Sequence, residues 1–141
     1  MQSSIDQHGA SRRRILVAED HRDSLEAMRL MLEAAGFYVI TAENGLQAVA
    51  KAQSEEPDII LMDMMMPSMD GFTATRTLRE RSLRIPIIAV TAMEGARSRA
   101  LEAGANDFVP KPIDFRDLFR KVKRWLENGE ASAAPRADGP A

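Results

Sequence analysis

Five residues of this chain have side chains suited to one reaction, and each follows a short apolar run. Glu19 and Asp20 come directly after ILVA, Asp63 after IILM, Thr91 after IIAV, and Lys111 shortly after Phe108 and Val109. Three carboxylates brought together repel one another unless protons or a cation intervene. Oxygen donors suit a hard ion, and a small carboxylate set completed by water fits Mg²⁺ better than an enclosing calcium cage. An ionised aspartate can attack phosphorus and form a mixed anhydride, provided that the charge on the transferring group is offset. Asp63 is the candidate nucleophile. Lys111 supplies a positive point charge to one phosphoryl oxygen, and the Thr91 hydroxyl donates a hydrogen bond to another. Positioning and electrostatics then suffice, with no separate strong base. No GxxxxGK[ST] loop is present, and AEDHRDS stands where a glycine-rich turn would follow the first apolar run. The phosphate is therefore expected to come from elsewhere.

For these residues to meet, the runs must be strands. Ile15 to Ala18, Phe37 to Thr41, Ile59 to Met62, Ile87 to Val90, and Phe108 to Val109 have strand length. Several are continuous in apolar character, as when helices cover both faces of a parallel sheet. Helical stretches lie between them. Leu25, Met28, Leu32 and Ala35 form a one-sided stripe stopped by Gly36. Leu46, Val49 and Ala52 mark a second helix, Phe72, Thr75 and Leu78 a third, and Ala96, Ala100 and Ala103 a fourth that ends at Gly104. Asp114 is the expected N-cap of the last, with Asp117 at its positive end and Leu118, Val122 and Trp125 on its inner face. The expected fold class is α/β, a (βα)5 doubly wound parallel five-stranded sheet. The strand order is taken as 2-1-3-4-5, the known flavodoxin-like arrangement. In such sheets the ligand site lies beyond the carboxyl ends of the strands, where all five polar residues fall.

The chain has 141 residues, 45% of them hydrophobic, enough for one compact domain. Residues 1–13 read as a flexible N-terminal arm, 14–128 as the folded domain, and 129–141 as a disordered tail rich in Ala, Pro and Gly. No cysteine is present, which points away from disulfides and toward a reducing compartment, with the cytoplasm the simplest home. No secretory or membrane-spanning pattern is found. A formal charge of −2, from 19 basic and 21 acidic residues, argues against a general nucleic-acid footprint.

The segments RILVAED, DIILMDMMMPSMDG, PIIAVTA and DFVPKP stand in an order and spacing that resembles a response-regulator receiver domain of two-component signalling, over about Arg14 to Asn128. The resemblance implies that Asp63 is the phosphoacceptor. Asp20, Asp63 and the backbone carbonyl of Met65 would be metal ligands, with Glu19 acting through water. Thr91 would be the switch hydroxyl, Lys111 the phosphate-binding lysine, and Lys111–Pro112 a cis peptide bond. Phe108 would be the aromatic switch residue, its ring turning inward as Thr91 moves and reshaping the surface of helix 4, strand 5 and helix 5. The phosphoryl donor would be a histidine kinase or histidine phosphotransfer protein, and the output an unknown protein target. The domain would be a monomer or a phosphorylation-dependent dimer. It would act as a regulatory phosphoacceptor with self-catalysed transfer and slow autodephosphorylation. Both a stand-alone regulator and a receiver from a hybrid kinase fit. No DNA-binding module follows Asn128 in this sequence, so output is expected through protein contacts.

Other residues have plainer roles. Asp70 and Gly71 form the turn and N-cap of the third helix. Met66 fills the core beside its strand. His21 is an exposed first-turn residue, His8 lies in the arm, and Arg12 to Arg14 are a solubilising flank. Arg116, Arg120, Lys121, Lys123 and Arg124 form the solvated face of the last helix. Two rival readings are weaker. A haloacid-dehalogenase-type phosphohydrolase also uses a nucleophilic Asp, Mg²⁺ and a lysine, but it places a second acid where this chain has Met65. A constitutive binding module of the same shape would not need all five polar residues.

Overall fold

The computed structural model describes the backbone of residues 12–137 and the side chains of residues 12–128. His8 and most of the N-terminal arm therefore lie outside the described residues, as does the end of the tail. Strands and helices alternate: β1 Arg14–Ala18, α1 Arg22–Ala34, β2 Tyr38–Ala42, α2 Gly45–Glu55, β3 Ile59–Asp63, α3 Gly71–Glu80, β4 Ile87–Thr91, α4 Ala96–Ala103, β5 Asp107–Pro110 and α5 Phe115–Ala137. The five strands form one parallel sheet in the order β2-β1-β3-β4-β5, the doubly wound arrangement expected. No helix among the described residues is long and apolar enough to cross a membrane.

Side chains of successive strand residues point to opposite faces. Leu16, Ala18, Ile60, Met62, Ile87 and Ala89 accordingly pack with α2, α3 and α4 on one side. Ile15, Val17, Ile59, Leu61, Ile88 and Val90 pack with α1 and α5 on the other. Both faces are covered, which is why β3 and β4 are buried at every position.

The helix ends follow local chemistry. At the end of α1, Gly36 adopts φ +99, its N–H donates to the Glu33 carbonyl, and the N–H of Phe37 donates to that of Leu32. This double closure satisfies the orphan carbonyls of a last turn. It also draws Phe37 out of the strand in which the sequence places it, so β2 begins at Tyr38. Gly104 closes α4 in the same way. The Asp70 carboxylate caps α3 through the Thr73 N–H at 2.7 Å, and Asp114 caps α5 through the N–H groups of Arg116 and Asp117.

Two differences from the sequence reading concern faces and ends. Leu46, expected on the inner stripe of α2, is 55% exposed. The buried stripe is Gly45, Ala48, Val49 and Ala52, and Leu46 sits about one quarter-turn away from it. The backbone of α5 continues helical past Asn128 to Ala137, within the stretch read as a tail. Extending a helix already anchored by Leu118, Val122 and Leu126 needs no new nucleus, and alanine favours it.

Arg79 joins the α3–β4 loop to the α4–β5 loop. Its guanidinium donates to the carbonyls of Gly104, Leu83 and Ile85 at 2.8–2.9 Å and to the Asn106 Oδ1. That same oxygen accepts from the Ile87 N–H at the start of β4. Arg79→Met keeps the apolar stem but strands these acceptors, and should cost about 1–3 kcal/mol. Urea denaturation would read it as a lower midpoint at unchanged slope.

Candidate functional site

Each polar residue singled out in the sequence sits where a strand ends. Asp63 and Thr91 are the last residues of β3 and β4, and Glu19 and Lys111 are the first residues after β1 and β5. Backbone hydrogen bonds carry the sheet past its formal limits there. Glu19 N–H donates to the Ala42 carbonyl, Met64 N–H to that of Val90, and Lys111 N–H to that of Thr91, all at 3.0–3.1 Å. The side chains are thus fixed by the sheet itself. The Lys111–Pro112 peptide bond is cis.

Burial is severe for a charged cluster: Glu19 is 0%, Asp63 3% and Thr91 1% exposed. Lys111 joins the acids, its Nζ lying 2.8 Å from Glu19 Oε1 and 2.9 Å from Asp63 Oδ2. The other oxygens are also occupied. Asp63 Oδ1 accepts from the Met65 N–H at 3.0 Å, and Glu19 Oε2 from the His21 N–H at 3.0 Å. Burial is the largest influence on Asp63 and raises its pKa, and the nearby Glu19 charge acts in the same direction. The Lys111 and Met65 hydrogen bonds oppose the shift without reversing it. For Lys111, burial favours the neutral amine, but the two bonded carboxylates prevail and the pKa is raised. Thr91 Oγ1 accepts from the Met93 N–H at 3.1 Å and keeps its own proton to donate.

Asp20 is more exposed and stands at the rim. Glu19, Asp20 and His21 each offer an atom within 4.8 Å of the others. His21 is the N-cap residue of α1, and its exposed ring makes no capping hydrogen bond. Met65 is 54% exposed, while Met64 and Met66 are buried in the core. Phe108 is half-buried on the α2–α3–α4 side of the sheet, with Met93 on the same side. Glu19 and Asp63, both buried, thus share one ammonium while Asp20 stands exposed at the rim, and the proton affinity of Asp63 is raised. Such an excess of buried, oxygen-only negative charge fits a hard divalent cation.

Two features of the site were not legible in the residue pattern. Lys111 bridges Glu19 as well as Asp63, a contact between residues far apart in the chain. Gly71, assigned only to a turn, presses on the strand that carries Asp63. A Cβ there would fall 2.2 Å from the Asp63 carbonyl oxygen and 2.7 Å from Met64 Cα. The only sequence trace is a glycine directly after the Asp70 cap.

The family profile of the response regulator receiver domain matches residues 15–123. The chain belongs to this family. Among curated relatives, it is 36% identical over 123 residues to the alkaline phosphatase synthesis transcriptional regulatory protein PhoP of Bacillus subtilis, covering 86% of this chain and 51% of that one. It is 43% identical over 114 residues to the response regulator PleD of Caulobacter vibrioides, covering 78% of this chain and 25% of the relative. The chain therefore spans about half or less of the length of these relatives. Among solved structures, it is similar to the receiver domain of the sensor histidine kinase PA1611 from Pseudomonas aeruginosa. The identity is 38%, the TM-score 0.76, and the match covers 83% of this chain and 99% of that domain. In that receiver domain a magnesium ion is coordinated in the active site cleft.

Proposed function

We propose that this receiver domain is a phosphorylation-dependent switch that accepts a phosphoryl group on Asp63. The observation that carries the reading is the Lys111 ammonium held against Asp63 Oδ2 at 2.9 Å in a buried pocket. Phosphohistidine on a histidine kinase or histidine phosphotransfer protein is the donor. An Asp63 oxygen attacks phosphorus, the P–N bond breaks, and its electron pair leaves with the imidazole. Lys111 then offsets charge on the phosphoryl group, and the Thr91 hydroxyl turns its proton toward a phosphoryl oxygen. Asp20, Asp63 and the Met65 carbonyl would hold Mg²⁺, with Glu19 acting through water, and the ion would supply charge neutralisation to the transferring group. The Thr91 movement draws the Phe108 ring inward and changes the surface of α4, β5 and α5, through which a protein target is recognised in the cytoplasm.

The test is intact mass after incubation with acetyl phosphate and Mg²⁺. One added phosphoryl mass, absent when EDTA is present, is expected. A folded protein that gains no mass under these conditions would shift the reading to a constitutive binding module.

The lifetime of the phosphorylated form should be set by Met65 and Met93, whose side chains cannot orient a hydrolytic water. Met65→Asn or Met93→Glu is expected to raise the dephosphorylation rate several-fold, followed by the decay of the phosphorylated mass after the donor is removed. An unchanged decay in both variants removes these methionines from the explanation.

A further inference from the structure

The seam between α3 and α4 carries an excess of positive charge. Residues 71–106 hold six arginines against three glutamates, whereas residues 14–70 hold four basic and eleven acidic side chains. Basic residues therefore outnumber acids in the segment that holds α3 and α4. Phe72, Arg76 and Arg79 follow one another at steps of four and three along α3, one face of a helix. That face meets α4, because the Arg99 guanidinium lies 3.9 Å over the Phe72 ring and Arg79 bonds the Gly104 carbonyl. Arg84 stands near the far end, where burial first and then its like charge lower the Arg79 pKa. Arg79 is engaged with backbone carbonyls, but Arg76, Arg84, Arg97 and Arg99 are exposed. None of these four is ion-paired with an acid among the described residues. Elsewhere the pattern differs: Arg29 and Arg120 each pair with acids within one turn of their own helix.

At the Arg99 end the seam opens into a hollow of about 530 Å³ walled by Met64, Met65, Met66, Pro67 and Met93, with Asp20 and Asp70 also lining it. Methionine walls adapt to apolar partners of varied shape. We propose that the α3–α4 seam docks an acidic peptide segment of a partner protein, its carboxylates pairing with Arg76 and Arg99 and an apolar anchor entering the methionine-lined hollow. Arginine forks match carboxylates in two-point contacts, which gives such a groove direction as well as charge. A single-stranded nucleic acid fits less well. Phe72 is covered by Arg99 and only 1% exposed, so it offers no stacking platform. The inference deepens the proposed switch by naming the chemistry of a partner and a face other than α4–β5–α5.

The test is fluorescence anisotropy on the full chain with a short labelled peptide of Asp and Glu carrying Leu and Phe anchors. Its Asn and Gln counterpart and an oligothymidylate serve as comparisons. The acidic peptide is expected to bind, to weaken as salt rises, and to lose about tenfold in affinity in an Arg76→Gln, Arg99→Gln double variant. Arg120→Gln, on α5, should leave binding unchanged. In the wild-type chain, amide shifts on peptide addition should concentrate in residues 72–76 and 93–99, a readout that needs no variant. Equal binding by the amide counterpart, tighter binding of the oligothymidylate, an unaffected double variant, or shifts confined to α1 or α5 would each overturn the proposal. Phosphorylation by acetyl phosphate, measured in parallel, fails or succeeds independently of peptide binding and keeps the two readings apart.

Discussion

An Asp63→Asn protein is expected to gain no phosphoryl mass from acetyl phosphate and Mg²⁺ while folding normally and, without metal, more stably than the wild type at neutral pH. The amide keeps the shape of the carboxylate but is not a nucleophile, so incorporation should fall to background. The stability change follows from burial. Asp63 is 3% exposed and shares the pocket with the fully buried Glu19. Its folded-state pKa is raised above the ordinary 3.8, first by burial and also by Glu19, against the pull of the Lys111 bond. A raised pKa means that this group's contribution to stability is fully present below 3.8 and is lost as pH rises through the folded value. At neutral pH the ionised carboxylate is therefore a cost, which asparagine removes. In EDTA the variant's stability advantage, read from urea midpoints, should shrink as pH falls toward the ordinary carboxylate range. Lys111 does not confuse the comparison. Its raised pKa gives a contribution that is complete below 10.5 and is lost only as pH rises through a still higher value. Adding Mg²⁺ should stabilise the wild type by mass action and the variant less. A stoichiometric phosphoryl mass on the variant would place the acceptor elsewhere.

The sequence carried the fold because its strongest signals are local. Continuous apolar runs of four or five residues can be buried on both faces only in a covered parallel sheet, and Gly36, Gly104, Asp70 and Asp114 mark helix ends by their own backbone chemistry. The site was partly legible for a related reason. Polar residues at strand ends converge in any doubly wound sheet, so Glu19, Asp63, Thr91 and Lys111 could be gathered without distances. Illegible features depend on contacts between distant segments or on which neighbour fills a given angle. The Lys111 bond to Glu19 is one, and the exposure of Leu46 is another, since Gly45 rather than Leu46 packs against Met69 in the β3–α3 loop. Gly71 belongs with these, because nothing in a DG pair states what lies two ångströms from the missing side chain.

Gly71 is where the packing of α3 meets the chemistry of β3, and Gly71→Ala is expected to damage both stability and phosphorylation. The added Cβ would meet the Asp63 carbonyl oxygen at 2.2 Å, Met64 Cα at 2.7 Å and Met64 Cε at 2.8 Å. The methionine tip can move aside, but the first two atoms are backbone. They are also held from the other side, since the Met64 N–H donates to the Val90 carbonyl on β4 and the Gly71 N–H to the Met64 carbonyl. Relief must therefore shift either the start of α3 or the end of β3 that carries Asp63. Overpacking of this kind costs about 1–3 kcal/mol, and movement of Asp63 away from Lys111 should slow phosphoryl uptake from acetyl phosphate. Gly36→Ala separates the two effects. That position has φ +99 and nothing within 4 Å of the added carbon, so the change strains the backbone at the far end of α1. It should lower stability by about 1 kcal/mol without altering the uptake rate. Gly45→Ala makes an intermediate case, because its Cβ would strike the Met69 carbonyl oxygen at 2.1 Å, at the other end of the β3–α3 loop. If close packing at Gly71 positions Asp63, the rate loss should be largest in Gly71→Ala, smaller in Gly45→Ala and absent in Gly36→Ala, whatever the order of their melting temperatures. A folded Gly71→Ala protein that is phosphorylated at the wild-type rate would mean that α3 yields to the added carbon, and that the sheet alone fixes Asp63.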